Sequence, residues 1–301
     1  AQVTDGRVLT DETTLNKYSF SPRLTDDDSG LALAYIEAQS DKDIQGTLKT
    51  ARKYHLAVIP QDQTTSTVIG ADGLKDSLIL STAKMNHILE ISKADSVAVV
   101  EPGVINGDLD QAARKQGMFY APDPGSKPIS GIGGNVATNA GGMSTVKYGA
   151  TKDNVLGVKV ILADGREVKL GGRTLKQAFG YDLTQLMIGS EGTLGIITEV
   201  IVKLLPIPLG TPVMGVAFFD NMTALAKAVT AIRISGVYPT MLEALDGNTV
   251  AALDRYEKTH YAKDSAAMLI FKLDNGGQAS MAVVEKLLTE QRASNVTITT
   301  K

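Results

Sequence analysis

Apolar residues recur along this chain with two periods, and its elements follow from them. Between Ser40 and His55 the apolar positions Ile44, Leu48 and Ala51 fall three or four apart, which lines one face of a helix. Ser40 caps it, and Asp41 and Asp43 occupy the first turn, where negative charge meets the positive end of the helix dipole. Leu56 to Ile59 is a continuous apolar run, read as a short buried strand stopped by Pro60. Ser77–Leu80 and Val97–Val100 are two more such runs, the second closed by the turn Glu101-Pro102-Gly103. Asn106 to Gln116 reads as a helix with Gly117 at its end. From Val155 to Leu170 the period is two: Val158, Val160 and Leu162 alternate, Asp164-Gly165 turns, and Glu167 to Leu170 returns as a hairpin. Ile196 to Leu205 is a further strand, ended by Pro206 and Pro208.

The composition shifts after Leu205-Pro206-Ile207-Pro208-Leu209-Gly210, which marks a boundary between a domain over 1–209 and another over 210–301. The second reads as strand 213–219, helix 221–235, strand 239–245, short helix 247–258, strand 266–273, helix 278–292 and strand 295–299. Without the short helix this order is βαββαβ, a ferredoxin-like unit. Short helices and strands separated by long glycine-rich loops make the first domain α+β rather than a regular Rossmann repeat.

Bulk properties narrow the function by exclusion. A length of 301 residues, 43% hydrophobic and 21% charged, fits a two-domain globular chain. The net charge of −3, with no basic block, argues against a nucleic-acid partner. No apolar run reaches transmembrane length, since Thr198, Glu199 and Lys203 interrupt the most apolar stretch. The first residues lack the pattern of a signal peptide, and cysteine is absent, so a cytoplasmic location is expected. Without cysteine there is no disulfide, thiolate metal site or cysteinyl cofactor link. His55, His87 and His260 show no metal-ligand spacing, so no metal site is expected.

Candidate chemistry lies in glycine. Gly131 to Gly142 reads Gly-Ile-Gly-Gly-Asn-Val-Ala-Thr-Asn-Ala-Gly-Gly. Glycine permits close approach to the main chain, and Asn and Thr add donors and acceptors. This suits a flat, polar-edged ligand or a phosphate chain; a turn cluster with no ligand is the alternative. The usual nucleotide and hydrolase motifs, GxGxxG opening a helix, GxxxxGK[ST], GxSxG and HExxH, do not occur. Three other segments accompany the run: Pro122-Asp123-Pro124-Gly125-Ser126 before it, Lys147-Tyr148-Gly149 after it, and Gly-Tyr-Asp-Leu at 180–183 leading into Gly189-Ser190-Glu191-Gly192-Thr193-Leu194-Gly195-Ile196.

In the order and spacing of these segments, and in the text Val-Ile-Leu-Ala-Asp-Gly at 160–165, the chain resembles the FAD-linked oxidases of the vanillyl-alcohol-oxidase type. The resemblance spans about Val8 to Pro208. Within the family it is nearest to the D-lactate dehydrogenase and glycolate oxidase catalytic-subunit group. It implies a PCMH-type FAD-binding domain of two α+β subdomains, followed by a ferredoxin-like cap that lacks its C-terminal part. Carried over by position, Pro122, Gly125, Gly133, Gly134, Asn135, Thr138, Asn139, Gly141 and Gly142 would line the flavin and diphosphate. Glu191, Gly192, Gly195 and Ile196 would hold the ribityl, ribose or adenine side. Tyr148 is read equally as a packing residue or a cofactor contact. A tight strand-entry turn also accounts for Gly189 to Gly195.

One segment departs from the family. Where an Arg/Gly-rich loop usually cradles the diphosphate, this chain has Pro60-Gln61-Asp62-Gln63-Thr64-Thr65-Ser66-Thr67-Val68-Ile69-Gly70. Gln61 replaces the arginine, and Asp62, Thr64 and Ser66 replace most of the glycines. A carboxylate close to a diphosphate is repulsive by roughly 1–4 kcal/mol per charge pair. The favoured account is that Thr64, Thr65, Ser66 and Thr67 supply hydroxyl donors while Asp62 points away; the other is that FAD binding is weakened. FAD would be noncovalent, because His55 precedes the strand that leads to the loop.

The resemblance further implies oxidation of a small D-2-hydroxy acid, with hydride passing to flavin N5. No catalytic base is identifiable, and the 301 residues are expected to turn over little D-lactate or glycolate alone. The alternatives are a same-fold flavin reductase and a non-catalytic flavin- or nucleotide-binding module. The electron acceptor is not specified, and a homo-oligomer is left open.

Overall fold

The computed structural model describes residues 5–19, 30–67, 70–261, 267–275 and 277–300. The chain forms two compact units. One comprises the residues up to Gly141 together with Ala150–Ile207; the other comprises Gly142–Gly149 together with the residues from Pro208 onward. The second unit thus takes in an eight-residue segment that the linear division at 209/210 leaves in the first domain.

Among its described residues the first unit contains two larger sheets and one two-stranded sheet. Strands β1 (Arg7–Leu9), β2 (Ala34–Glu37), β3 (Val58–Gln61) and β4 (Leu78–Ser81) form one in the order β1-β2-β4-β3. β2, β4 and β3 run parallel, and β1 is an antiparallel edge. Helix α1 (Glu12–Ser19) follows β1, and α2 (Asp41–Tyr54) follows β2. As the periodicity predicts, Ile44, Leu48 and Ala51 of α2 are buried in one cluster with Ile36 and Leu80. Ser40 caps α2 by accepting the N–H of Asp43, and His55 ends it at φ 54°.

Pro60 does not stop its strand, contrary to expectation; β3 runs through it to Gln61. The carbonyls of Ala57 and Gln61 accept the N–H groups of Leu78 and Thr82. The ladder therefore uses odd-numbered positions of an edge strand, and the proline nitrogen needs no partner.

The second sheet is antiparallel. Its strands are β5 (Ile88–Ser92), β6 (Val97–Val100), β8 (Val155–Ile161), β9 (Glu167–Gly171) and β10 (Ile196–Lys203), in the order β5-β6-β10-β8-β9. Helix α3 (Asn106–Arg114) stops short of the expected Gln116, and β7 (Met118–Phe119) follows. The predicted hairpin is β8–β9, with Gly165 at φ 87° in its turn. The expected strand to Leu205 divides: β10 ends at Lys203, and β11 (Leu205–Pro206) pairs with β7. The break falls at Leu204, whose N–H turns to the carbonyl of Ser96.

The glycine-rich run is not all loop. Ile132–Ala137 forms a short helix, α4. Ile132 and Val136, four apart, are both fully buried in the cluster with Val100, Val160 and Val200. Burying two such side chains, at about 1.5–3 kcal/mol each, offsets the poor helix propensity of Gly133 and Gly134. Two more short helices follow: α5 (Thr145–Tyr148), in the second unit, and α6 (Leu183–Met187), in the first.

The remainder of the second unit runs β12 (Val213–Phe219), α7 (Met222–Ile234), β13 (Met241–Asp246), α8 (Gly247–Glu257), β14 (Ala267–Leu273), α9 (Gln278–Glu290) and β15 (Ser294–Thr299). The antiparallel order β13-β14-β12-β15 is that of a ferredoxin-like sheet. Phe219 and Phe271 pack with α7 and α9, while Phe218 and Met268 face Val250 of α8. This is the period-two alternation of a sheet covered on both faces. Among the described residues, no helix is long and apolar enough to cross a membrane.

Candidate functional site in the first unit

Helix α4 is held at its start by three separate acceptors. The N–H of Ile132 donates to the carbonyl of Val104 at 2.8 Å, and that of Gly133 to the carbonyl of Pro102 at 2.7 Å. The N–H of Gly134 donates to Oδ2 of Asp62 at 2.9 Å. Asp62 is thus turned toward the start of the glycine-rich run. It lies against the helix start because Gly131 leaves room: a Cβ there would sit 1.9 Å from Asp62 Oδ2.

Gly133, Gly192 and Gly195 are likewise packed against protein, whereas a Cβ on Gly125 would meet nothing within 4 Å. A Cβ on Gly133 would meet Pro102 Cβ at 2.4 Å, and one on Gly195 would meet Val160 Cγ1 at 2.6 Å. Gly192 stands at φ 77°, with Pro60 Cγ 2.8 Å from its missing Cβ. These glycines let segments approach one another, and so bring the edge of a cleft together.

The turn at 189–195 is stitched to α4. The N–H groups of Gly189 and Glu191 donate to the carbonyls of Val136 and Ala137, at 3.0 and 2.9 Å. Between that turn, α4 and the 61–67 loop lies a cleft of about 620 Å3. Of the predicted cofactor residues, it is lined by Pro60, Thr64, Thr65, Ser66, Thr67, Gly125, Gly133, Gly134, Asn135, Thr138, Asn139, Gly141, Glu191, Gly192, Gly195 and Ile196. Pro122, Gly142 and Tyr148 are not among the lining. Pro122 is buried, and Gly142 and Tyr148 belong to the second unit, where the Tyr148 hydroxyl and the Lys147 ammonium both bond the Asp274 carboxylate.

Gln61, Asp62, Thr82, Pro102, Ser126 and Gly131 also line the cleft and were not singled out as contacts. Gly131 opens the glycine run, and Pro102 sits in the predicted turn, so both carried a local signal. Asp62 carried only its oddity. The Gln61 Nε2 is spent internally, donating to the carbonyls of Tyr18 and Ala71, while its Oε1 is buried without a partner. None of the three histidines lines the cleft; His87 Nδ1 lies 2.7 Å from Glu101 Oε2.

Three lining residues that are not glycine hold left-handed backbone: Thr64 at φ 53°, Asn139 at φ 48° and Glu191 at φ 51°. Such conformations concentrate where a ligand is clamped. Asn135 is 3% exposed, and its Nδ2 has no partner in the protein. A buried donor left open in this way calls for an acceptor from outside the chain. Beyond Pro60, Gly192 and Ile196 lies a second hollow of about 570 Å3, lined also by Leu48, Leu56 and Val58. The two hollows share that wall and suit an elongated ligand with apolar and polar parts, within the usual size range of cofactor sites. Burial raises the Asp62 carboxyl to about 7, against the pull of the Gly134 and Gln63 amides.

A mixed sheet and an antiparallel sheet enclosing such a cleft, followed by a ferredoxin-like unit, define an FAD-binding flavoprotein fold of the PCMH type. An alkyldihydroxyacetonephosphate synthase structure shares that fold, with a TM-score of 0.78 at 21% identity over 95% of this chain and 57% of that one. Residues 32–171 match the FAD binding domain family, and residues 211–301 the C-terminal domain of FAD linked oxidases. The chain belongs to the FAD-linked oxidases. It is 37% identical to the glycolate oxidase subunit GlcD of Bacillus subtilis over 84% of this chain and 54% of that protein. It is 38% identical to the D-lactate dehydrogenase of Anaerostipes hadrus over 73% of this chain and 46% of that protein. The chain thus spans about half the length of the curated relatives it matches.

Proposed function

We infer that this chain holds FAD noncovalently in the cleft of its first unit, as part of an oxidoreductase acting on a small D-2-hydroxy acid of the D-lactate or glycolate class. One observation carries the reading: two distant glycine-rich stretches and a hydroxyl-rich loop meet around a single cleft that keeps a buried, unpartnered amide donor. The names of the sequence relatives support the substrate class. When bound, FAD supplies a hydride acceptor at flavin N5.

The part of the chain itself is to bind and orient. Thr64, Thr65, Ser66 and Thr67 would offer hydroxyl donors, and Asn135 Nδ2 would meet a cofactor acceptor. Glu191 would accept from a ribityl or ribose hydroxyl. Ile196, Ile197 and Pro102 would supply apolar wall and keep water out. The base that takes the substrate hydroxyl proton is left unassigned.

The test is a titration of the flavin-free chain with FAD, followed by anaerobic addition of D-lactate or glycolate. Saturable uptake is expected. Bleaching of the flavin band by either acid would establish the substrate class. Bleaching by a reduced nicotinamide alone would instead indicate a reductase. Absence of saturable uptake would overturn the reading.

A further inference from the structure

The cleft assigned to FAD has no positive side chain among its described residues. Only Asp62 and Glu191 ionise there, and both are acids. A diphosphate would bring further negative charge to a wall that already carries it.

The start of α4 shows where the conflict lies. Ile132 and Gly133 give their N–H groups to main-chain carbonyls, which cannot swing away. Gly134 gives its N–H to a side chain, Asp62. Oδ2 of that carboxyl fills the corner left by the missing Gly131 Cβ, and Oδ1 is buried without a partner. The chain thus places its own acid in the bare-backbone corner of the cofactor cleft.

We propose that Asp62 couples FAD uptake to the binding of one proton, so that the flavin-bound chain carries Asp62 as a neutral acid. This rests on the FAD reading above. Ionised, the carboxylate, whose Oδ1 is buried, repels an incoming diphosphate at short range. Neutral, it loses that repulsion and gains an O–H donor for an acceptor on the cofactor. Burial already holds the free chain's carboxyl near 7, so the proton is taken up at ordinary pH.

The surroundings leave one competing group. α4 presents no titratable side chain, and the 122–131 loop presents none to the cleft, Lys127 being bound to Asp110 at 2.8 Å. In the 101–103 turn, Glu101 is engaged with His87. The 189–195 turn presents Glu191.

The sign follows from linkage. Below about pH 7, FAD meets a neutral acid and its Kd is flat. Above it, the protonated fraction falls about tenfold per pH unit and Kd weakens in step, by about thirtyfold between about pH 6 and about pH 8.5. FAD titrations of the flavin-free chain across this range, with proton uptake measured alongside, test the proposal. Asp62→Asn should bind with a flat Kd near the acid-limit value of the unaltered chain, and Glu191→Gln should keep the slope. Should Asp62→Asn not fold, by circular dichroism, Asp62→Ser and proton uptake by the unaltered chain decide the matter. Saturable binding with a flat Kd, or a slope that survives in the Asp62 variant and vanishes in Glu191→Gln, overturns the proposal. No uptake at any pH overturns the FAD reading itself.

Discussion

Oδ2 of Asp62 and the N–H of Gly134, 72 residues apart in sequence, meet at 2.9 Å. The contact ties the end of β3 to the start of α4. It also leaves the carboxyl partly covered, with Oδ1 buried, and burial raises its folded pKa to about 7 from an ordinary value of 3.8. A raised folded pKa means that the folded chain binds a proton that the unfolded chain has released. The contribution of Asp62 to stability is therefore full below about pH 4 and declines as the pH rises toward about 7. Asp62→Asn, which keeps the shape and cannot ionise, should lose that slope. Relative to the unaltered chain it should gain on the order of 2–4 kcal/mol between about pH 4 and about pH 8. Urea unfolding of both proteins at the two pH values measures this. Equal differences at the two values would show that Asp62 does not titrate in this range.

An added methyl should destabilise at both Gly131 and Gly133, but only at Gly131 should the cost depend on Asp62. At Gly131 the obstacle is the far end of a side chain, Asp62 Oδ2 at 1.9 Å; at Gly133 it is the ring of Pro102 at 2.4 Å. Gly131→Ala should be destabilising in the unaltered chain and milder in an Asp62→Ser background, with a coupling of about 0.5–3 kcal/mol. Gly133→Ala should cost the same in either background. A double-mutant cycle read by chemical unfolding checks both.

The elements that sequence makes legible are those with a clean period. Helix α2 and the alternation in β8 read directly, because their apolar positions pack into buried clusters. Pro60 misled because its effect depends on whether its strand is an edge and on which positions carry the ladder, and only the sheet order decides that. Helix α4 was hidden by composition: Ile132 and Val136 carry a helical spacing, but the glycines around them suggest a loop. The cleft itself was largely legible, since its walls are named by glycine-rich text. The place of Asp62 was not. It depends on the absence of a Cβ at Gly131, far along the chain, and nothing local to Asp62 announces that. Nor does linear order reveal that 142–149 packs with the second unit, through Lys147 and Tyr148 on Asp274.

That second-unit cluster makes its own prediction. Asp274 is largely buried, which by itself would raise its carboxyl. Lys147 and Tyr148 outweigh the burial and hold it below the ordinary value. A depressed folded pKa gives stability that is present above the unfolded pKa and is lost as the pH falls below it. Asp274→Ala leaves a mostly buried ammonium without its partner, which costs about 3–5 kcal/mol. Tyr148→Phe removes one hydrogen bond and should cost about 1 kcal/mol. Asp274→Ala should also open 142–149 to proteolysis more readily than Tyr148→Phe does. Thermal unfolding and timed digestion would give this ranking; a reversed order would mean that the ion pair is not what fastens the segment.

Thr64 separates fold from function. It is β-branched, lines the cleft and holds φ 53°. Left-handed backbone costs a residue with a Cβ about 1–2 kcal/mol, and more when the side chain is branched. Glycine escapes that cost but loses about 0.5–1 kcal/mol to the greater freedom of the unfolded chain. Thr64→Gly should therefore leave the protein equally stable or up to about 1 kcal/mol more stable. If the strain is kept in order to aim a hydroxyl at the cofactor, the same change should weaken FAD binding by about tenfold, the loss of one hydrogen bond to a charged group. Chemical unfolding and flavin titration on the one variant read the two effects separately. Stability and affinity rising together would show that Thr64 serves neither the ligand nor the loop.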